Sequence, residues 1–179
     1  MKPFKIIIVF TLFILSCDKN NAPITIDSNP LITGTSSFVF DSYLPLADKP
    51  MNIFYHVPEN INTQTPILFV LHGSGRNAAQ YRDAFVTKSE QLGFIVVVPE
   101  FNDIYFPGGD AYNLANIFED GDNPSASSLN DESDWTISVL DPIFDHVRDL
   151  TDNETSRYDL FGHSAGSQVA HRFLLFKPT

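Results

Sequence analysis

Apolar and polar positions divide the chain into blocks. Ile6 to Leu15 is almost purely apolar, while residues 18–36 are polar, contain Pro23 and Pro30 and show no period. Phe38-Val-Phe40 and Met51 to Val57 predict two strands, the second alternating in Ile53, Tyr55 and Val57. The Pro/Asp-containing stretch between them predicts an antiparallel pair at a sheet edge. Ile67 to Leu71 and Phe94 to Val98 are continuous apolar runs, the pattern of strands buried on both faces of a parallel sheet. Between them, Asn77 to Gln91 carries Ala78, Tyr81, Phe85 and Leu92 at near-helical spacing, and Gly93 provides a stop. Asp134 to Leu150 predicts an amphipathic helix with Ile137, Leu140, Ile143, Phe144 and Val147 on one face, capped by Ser133 or Asp134 and kinked at Pro142. Tyr158 to Phe161 is a last short strand, followed by an amphipathic helix through Phe176. An edge pair followed by strand–helix–strand–helix–strand–helix predicts an α/β fold, a mostly parallel sheet with helices on both faces.

Glu100 to Ser133 breaks the pattern. This segment lacks periodicity and contains Pro107-Gly-Gly109, Gly121 and Pro124. A loop of that length after a parallel strand is expected to be a substrate-side excursion. Tyr105, Phe106, Tyr112 and Phe118 would line an apolar cleft there, or else pack the excursion onto the domain.

The N-terminus is organised differently. Met1-Lys-Pro-Phe-Lys5 is a short basic segment, and the apolar run after it is too short to span a bilayer. It ends in Ile14-Leu15-Ser16-Cys17, which is similar to a bacterial lipobox. That similarity implies a signal peptide over residues 1–16 and lipid attachment at Cys17, with residues 17–36 as lipidated N-terminus and tether. It places the protein in the bacterial cell envelope, bound to the membrane through that lipid. The domain then occupies residues 37–179. Cys17 is the only cysteine, so a lipidated chain has no thiol for a disulfide, a nucleophile or a metal.

Composition narrows the function classes. With 179 residues, 43% of them hydrophobic, the chain can bury one core without cross-links. The net charge of −11 is spread along the chain and repels phosphate backbones, so no nucleic-acid partner is expected. No dinucleotide fingerprint, phosphate loop or His/Cys cluster of metal spacing occurs, so no cofactor and no metal are expected. Asp120-Gly-Asp122 begins like a calcium loop, but Pro124 stands where Asp or Asn is required. Nothing in the pattern specifies an oligomer.

The chemistry concentrates at Gly162-His163-Ser164-Ala165-Gly166, a G-x-S-x-G sequence set between a strand and a helix. That context defines a nucleophile elbow, a strained turn that lifts the serine Oγ above the sheet. Its glycines allow the turn to close and the helix to pack near the strand. With His72-Gly73 after the first buried strand, the chain resembles the α/β-hydrolase family, over about residues 38–176. The nearest resemblance is to secreted esterases related to poly(3-hydroxybutyrate) depolymerases. It implies Ser164 as the catalytic nucleophile, with the backbone N–H groups of Ser74 and Ala165 as the oxyanion hole. It also implies a small-molecule or polymeric ester as substrate. His72 would shape its loop, and His163 would pack or hydrogen-bond locally.

A serine hydrolase also needs an imidazole base and an orienting carboxylate, which in this family follow the nucleophile in the chain. After Ser164 come no Asp or Glu and one histidine, His171. That residue is about 10 Å along the following helix and out of reach of Oγ. The expectation is therefore the N-terminal two-thirds of a hydrolase domain, truncated at its C-terminal side, with catalytic acid and His beyond the end of this chain. The 179 residues alone would be inactive. Two alternatives stay open: a non-catalytic envelope lipoprotein that uses the scaffold for binding, and a serine peptidase or acyltransferase on the same fold.

Overall fold

A computed structural model describes residues 30–177; the apolar N-terminal run and Cys17 lie outside the described residues. Five strands form one sheet in the order β1-β2-β4-β3-β5. They are β1 (Gly34–Phe40), β2 (Met51–Val57), β3 (Ile67–Leu71), β4 (Ile95–Pro99) and β5 (Asp159–Gly162). β1 pairs antiparallel with β2, and β2 with β4, whereas β3 runs parallel to both β4 and β5. Only β2 runs against the rest, so the sheet is mixed, and the β1–β2 pair lies at one edge as its alternation predicts. β1 begins at Gly34 and takes in residues 34–36, which the polar pattern had assigned to the tether.

Strand alternation sorts the core into two layers. Phe69, Leu71, Ile95, Val97, Ile53 and Tyr55 belong to the larger cluster, which includes Ile143 and Val147 of helix α3 (Leu140–Thr151) and Val169 and Phe173 of helix α4 (Ala165–Phe176). Val70, Val96 and Val98 face the other way, onto Ala78, Tyr81 and Phe85 of helix α1 (Ala78–Leu92). This is the two-sided helix cover predicted from sequence. All five residues of β4 are buried, which is why its run shows no alternation. Burying each such aliphatic side chain contributes about 1.5–3 kcal/mol.

Two helices depart from their sequence patterns. α1 ends at Gly93, whose positive φ of 71° is open to a residue without Cβ. Leu92 nevertheless stays exposed, and Ser89 takes the buried position on the last turn, its hydroxyl donating to the Phe94 carbonyl. The helix predicted over Asp134–Leu150 begins only at Leu140. Glu132–Asp134 and Thr136–Val139 are 3₁₀ turns separated by an extended Trp135, and Asp131, not Ser133 or Asp134, caps the first of them. Pro142 explains the difference. Its ring would clash with the carbonyl four residues back, so an α-helix cannot run through residue 138. As the third residue of α3, Pro142 lacks an N–H that the first turn would leave unpaired, and the expected kink has no cause there.

In the segment after β4 the structure selects one of the two expected roles of the aromatics. Phe106 and Tyr112 are fully buried in the core and Tyr105 and Phe118 pack partly buried against it, so these aromatics do not line an open cleft. Between them a short helix α2 (Gly108–Ala111) and an isolated bridge between Phe118 and Leu129 give the excursion its order. On the far edge of the sheet β5 has no second partner among the described residues. A groove of about 560 Å³ runs beside it, lined by Phe144, Tyr158, Leu160, Ala170, Phe173 and Leu174, and does not include Ser164.

The Pro142→Ala protein should unfold within about 1 kcal/mol of the parent in a urea titration. An interior, kinking proline would instead release about 3 kcal/mol on removal.

Candidate active site

The parallel register of β3 and β5 creates the site. Leu71 pairs with Gly162, so the loops that leave these two strands emerge side by side at the same end of the sheet. The His163 N–H donates to the Leu71 carbonyl at 3.2 Å, which continues the ladder one residue into the elbow. Ser164 follows with φ 53° and ψ −118°, at the N-cap of α4. An L-residue reaches this left-handed conformation only under strain, so the surrounding packing must hold it.

That packing depends on the two glycines. A Cβ on Gly166 would lie 2.2 Å from the Leu71 carbonyl oxygen and 2.7 Å from that of His72. A Cβ on Gly162 would lie 2.3 Å from the Gly166 carbonyl oxygen. Both are backbone contacts that cannot yield, so only glycine lets α4 start directly against the end of β3. The result leaves the Ser164 side chain exposed above the first turn of a twelve-residue helix. The N-terminal partial positive charge of that helix faces the serine.

The loop after β3 lies against the elbow. The Arg76 N–H donates to the Gly73 carbonyl at 3.1 Å and closes a tight turn with Ser74 and Gly75 at its tip. A Cβ on Gly73 would be 3.6 Å from the Ser164 Cβ, which brings the Ser74 turn next to the serine. Neither the Ser74 nor the Ala165 backbone N–H is taken up in a hydrogen bond among the described residues. Both N–H groups, one in the turn and one at the start of α4, therefore stand free near Ser164. Cys17, the fourth residue singled out in the sequence, lies outside the described residues.

The histidines have separate places. His72 is fully buried, donating from Nδ1 to the Gly73 carbonyl at 2.9 Å and accepting the Phe101 N–H at Nε2 at 3.0 Å. Both ring nitrogens are used, which fixes the neutral tautomer and suits the loop-shaping role. Burial lowers its pKa to about 4. His163 is exposed, with Nδ1 hydrogen-bonded to the Tyr81 hydroxyl of α1 at 2.7 Å. His171 is exposed on α4. Among the described residues no imidazole or carboxylate is hydrogen-bonded to Ser164 Oγ.

Arg76 and Tyr81 escaped the sequence analysis as parts of the site, and Tyr112, expected there to line a cleft or to pack, joins them. Arg76 has φ 54° and donates to the carbonyls of Phe101, Phe106 at 2.9 Å and Gly108 at 3.1 Å. Its guanidinium also stacks 4.3 Å above the Tyr112 ring and pairs with Asp103 at 3.2 Å. The Tyr112 hydroxyl donates to the His72 carbonyl at 2.6 Å, and the Tyr81 hydroxyl fills the notch over Gly73. The arginine directly after His72-Gly-Ser-Gly75 was the available signal.

A strand–elbow–helix next to a glycine turn on the neighbouring parallel strand is the framework of the α/β-hydrolase fold. The sequence matches no family model and no curated protein. Solved structures are similar to it. Poly(aspartic acid) hydrolase-1 from Sphingomonas sp. KT-1 is 36% identical with a TM-score of 0.71, over 83% of this chain and 53% of that one. LpqC, a poly(3-hydroxybutyrate) depolymerase from Bordetella parapertussis, is 26% identical with a TM-score of 0.69, over 80% of this chain and 47% of that one. An S-formylglutathione hydrolase from Agrobacterium tumefaciens shares the fold at 19% identity, with a TM-score of 0.57. The resemblance to α/β-hydrolases therefore holds, and within that fold the chain is similar to a poly(aspartic acid) hydrolase and a poly(3-hydroxybutyrate) depolymerase. It spans about half the length of the first two of these relatives.

The His72 environment sets a pH dependence. Its folded pKa of about 4 lies below the ordinary 6.5, so the unfolded chain binds the proton more readily in between. Its contribution to stability is full above pH 6.5 and is lost as pH falls toward 4, on the order of 3 kcal/mol in all. Urea titrations of the parent should show that slope, and the His72→Gln protein should be flatter across the same window.

Proposed function

We propose that the protein is a serine ester hydrolase that works through an acyl-enzyme on Ser164. The observation that carries this reading is the left-handed backbone of Ser164, held by two glycines beside a turn with a free N–H. Such strain needs a reason, and lifting a nucleophile above the sheet is one that the elbow sequence fits. In this reading Ser164 Oγ attacks the ester carbonyl and the Ser74 and Ala165 N–H groups bind the resulting oxyanion. A general base takes the Oγ proton and returns it to the departing alcohol as the acyl-enzyme forms, and water, activated by the same base, then releases the acid.

The general base and its orienting carboxylate are part of the proposal and come from outside the described residues. His72 does not supply the base, because both its nitrogens are committed and burial opposes its protonation. Polymeric or small esters are the substrate class, in keeping with the depolymerase among the similar structures. Attachment to the envelope membrane through a lipid on Cys17 belongs to the same proposal and rests on the lipobox-like pattern.

The test uses the native protein isolated from its source membranes. A fluorophosphonate probe should label it at Ser164, and ester hydrolysis should fall by at least about 1000-fold in Ser164→Ala. A folded native protein with neither labelling nor hydrolysis would make the scaffold a binding module. Cleavage of peptide amides but not esters would make it a peptidase.

A further inference from the structure

The turn that presents the Ser74 N–H has little of its own to hold it. Ser74 and Gly75 are exposed, and Gly75 has only the Asn77 side chain near the position of a Cβ. One backbone hydrogen bond closes the turn, from Arg76 to Gly73. A short, glycine-containing turn of this kind would sample many orientations, and an oxyanion donor is useful only when its direction is fixed in advance.

Both ends of the turn are tied to one segment. At the start, His72 Nε2 accepts the Phe101 N–H and the His72 carbonyl accepts the Tyr112 hydroxyl. At the end, the Arg76 guanidinium reaches the carbonyls of Phe101, Phe106 and Gly108, while its face rests on Tyr112. Phe101, Phe106 and Tyr112 are themselves buried, with Phe101 stacked on Tyr112 at 5.1 Å and edge-on to Phe106 at 5.2 Å. The anchor is therefore rigid core. A guanidinium is the one side chain whose planar fork of donors can serve three separate carbonyls at once; an ammonium is a point charge on a flexible stem. Arg76 itself sits at a left-handed φ of 54°.

We propose that Arg76 is the positioning residue of the oxyanion turn: by bridging the carbonyls of Phe101, Phe106 and Gly108 it fixes the direction of the Ser74 N–H beside Ser164. It touches no reacting atom and acts through the turn. This inference rests on the esterase reading above and adds to it a residue on which transition-state binding depends.

The experiment compares native protein with Arg76→Lys and Arg76→Ala, each expressed as the full chain, for ester kinetics and for inhibition by a boronic acid that forms a tetrahedral adduct on serine. Displacing one oxyanion donor should lower kcat at least about tenfold with KM within about twofold, and weaken boronate inhibition by a similar factor. Arg76→Lys keeps the charge and most of the aliphatic stem, so it reports on the fork should Arg76→Ala not fold. If hydrolysis depends on Ser164 but Arg76→Lys keeps both kcat and boronate affinity, the inference is wrong and the esterase reading stands. The inference also falls if kcat and the thermal midpoint drop while KM rises with them, the mark of a merely structural arginine. If the parent itself neither hydrolyses esters nor binds the boronate, the esterase reading has failed and this inference with it.

Discussion

The fold around Ser164 depends on one close approach, the backbone of Gly166 against the carbonyls of Leu71 and His72. A helix normally stands off a strand end by at least the width of a side chain. Here the missing Cβ lets α4 begin directly on β3, and the chain between β5 and α4 must turn within a few residues. The strained serine follows from that geometry: Ser164 takes φ 53° because no relaxed backbone joins Gly162 to a helix so placed. The same contact holds the elbow beside the Gly73–Arg76 turn, so Ser164 and the N–H groups of Ser74 and Ala165 are set by one piece of packing.

Behind this contact lies a polar layer that would be costly if incomplete. His72 is buried, and an unpaired imidazole there would carry the full penalty of lost hydration. Both nitrogens and the carbonyl of this residue are satisfied, by Gly73, Phe101 and Tyr112. The loop after β4 is thus a wall against which the turn is pressed, and its aromatic residues are spent on that wall.

The sequence makes some of this legible and hides the rest for identifiable reasons. β3 and β4 are visible as unbroken apolar runs because both faces of the sheet are covered. The elbow is visible because glycine at two fixed positions has few other uses there. The start of α3 was misplaced because Ile137 and Leu140 keep helical spacing through a region that Pro142 forbids to be helical; burial of Ile137 is achieved in a 3₁₀ turn instead. Tyr112 and Phe106 could not be assigned from type alone, since an aromatic residue serves a cleft or a core equally well. Arg76 is marked only by its place directly after the His72–Gly75 turn, and its role stays hidden because its partners are backbone carbonyls 25 to 32 positions further along. Any residue type can offer a carbonyl.

The central claim is that this geometry exists to place an acyl group on Ser164. It is tested most directly by mixing the native protein with a slowly hydrolysed activated ester, quenching in acid within milliseconds and measuring intact mass and peptide masses. The account predicts a covalent acyl increment on the peptide containing Ser164 that forms before free acid and disappears with turnover. Ester turnover with no increment at Ser164, or with unchanged rate in Ser164→Ala, would contradict it.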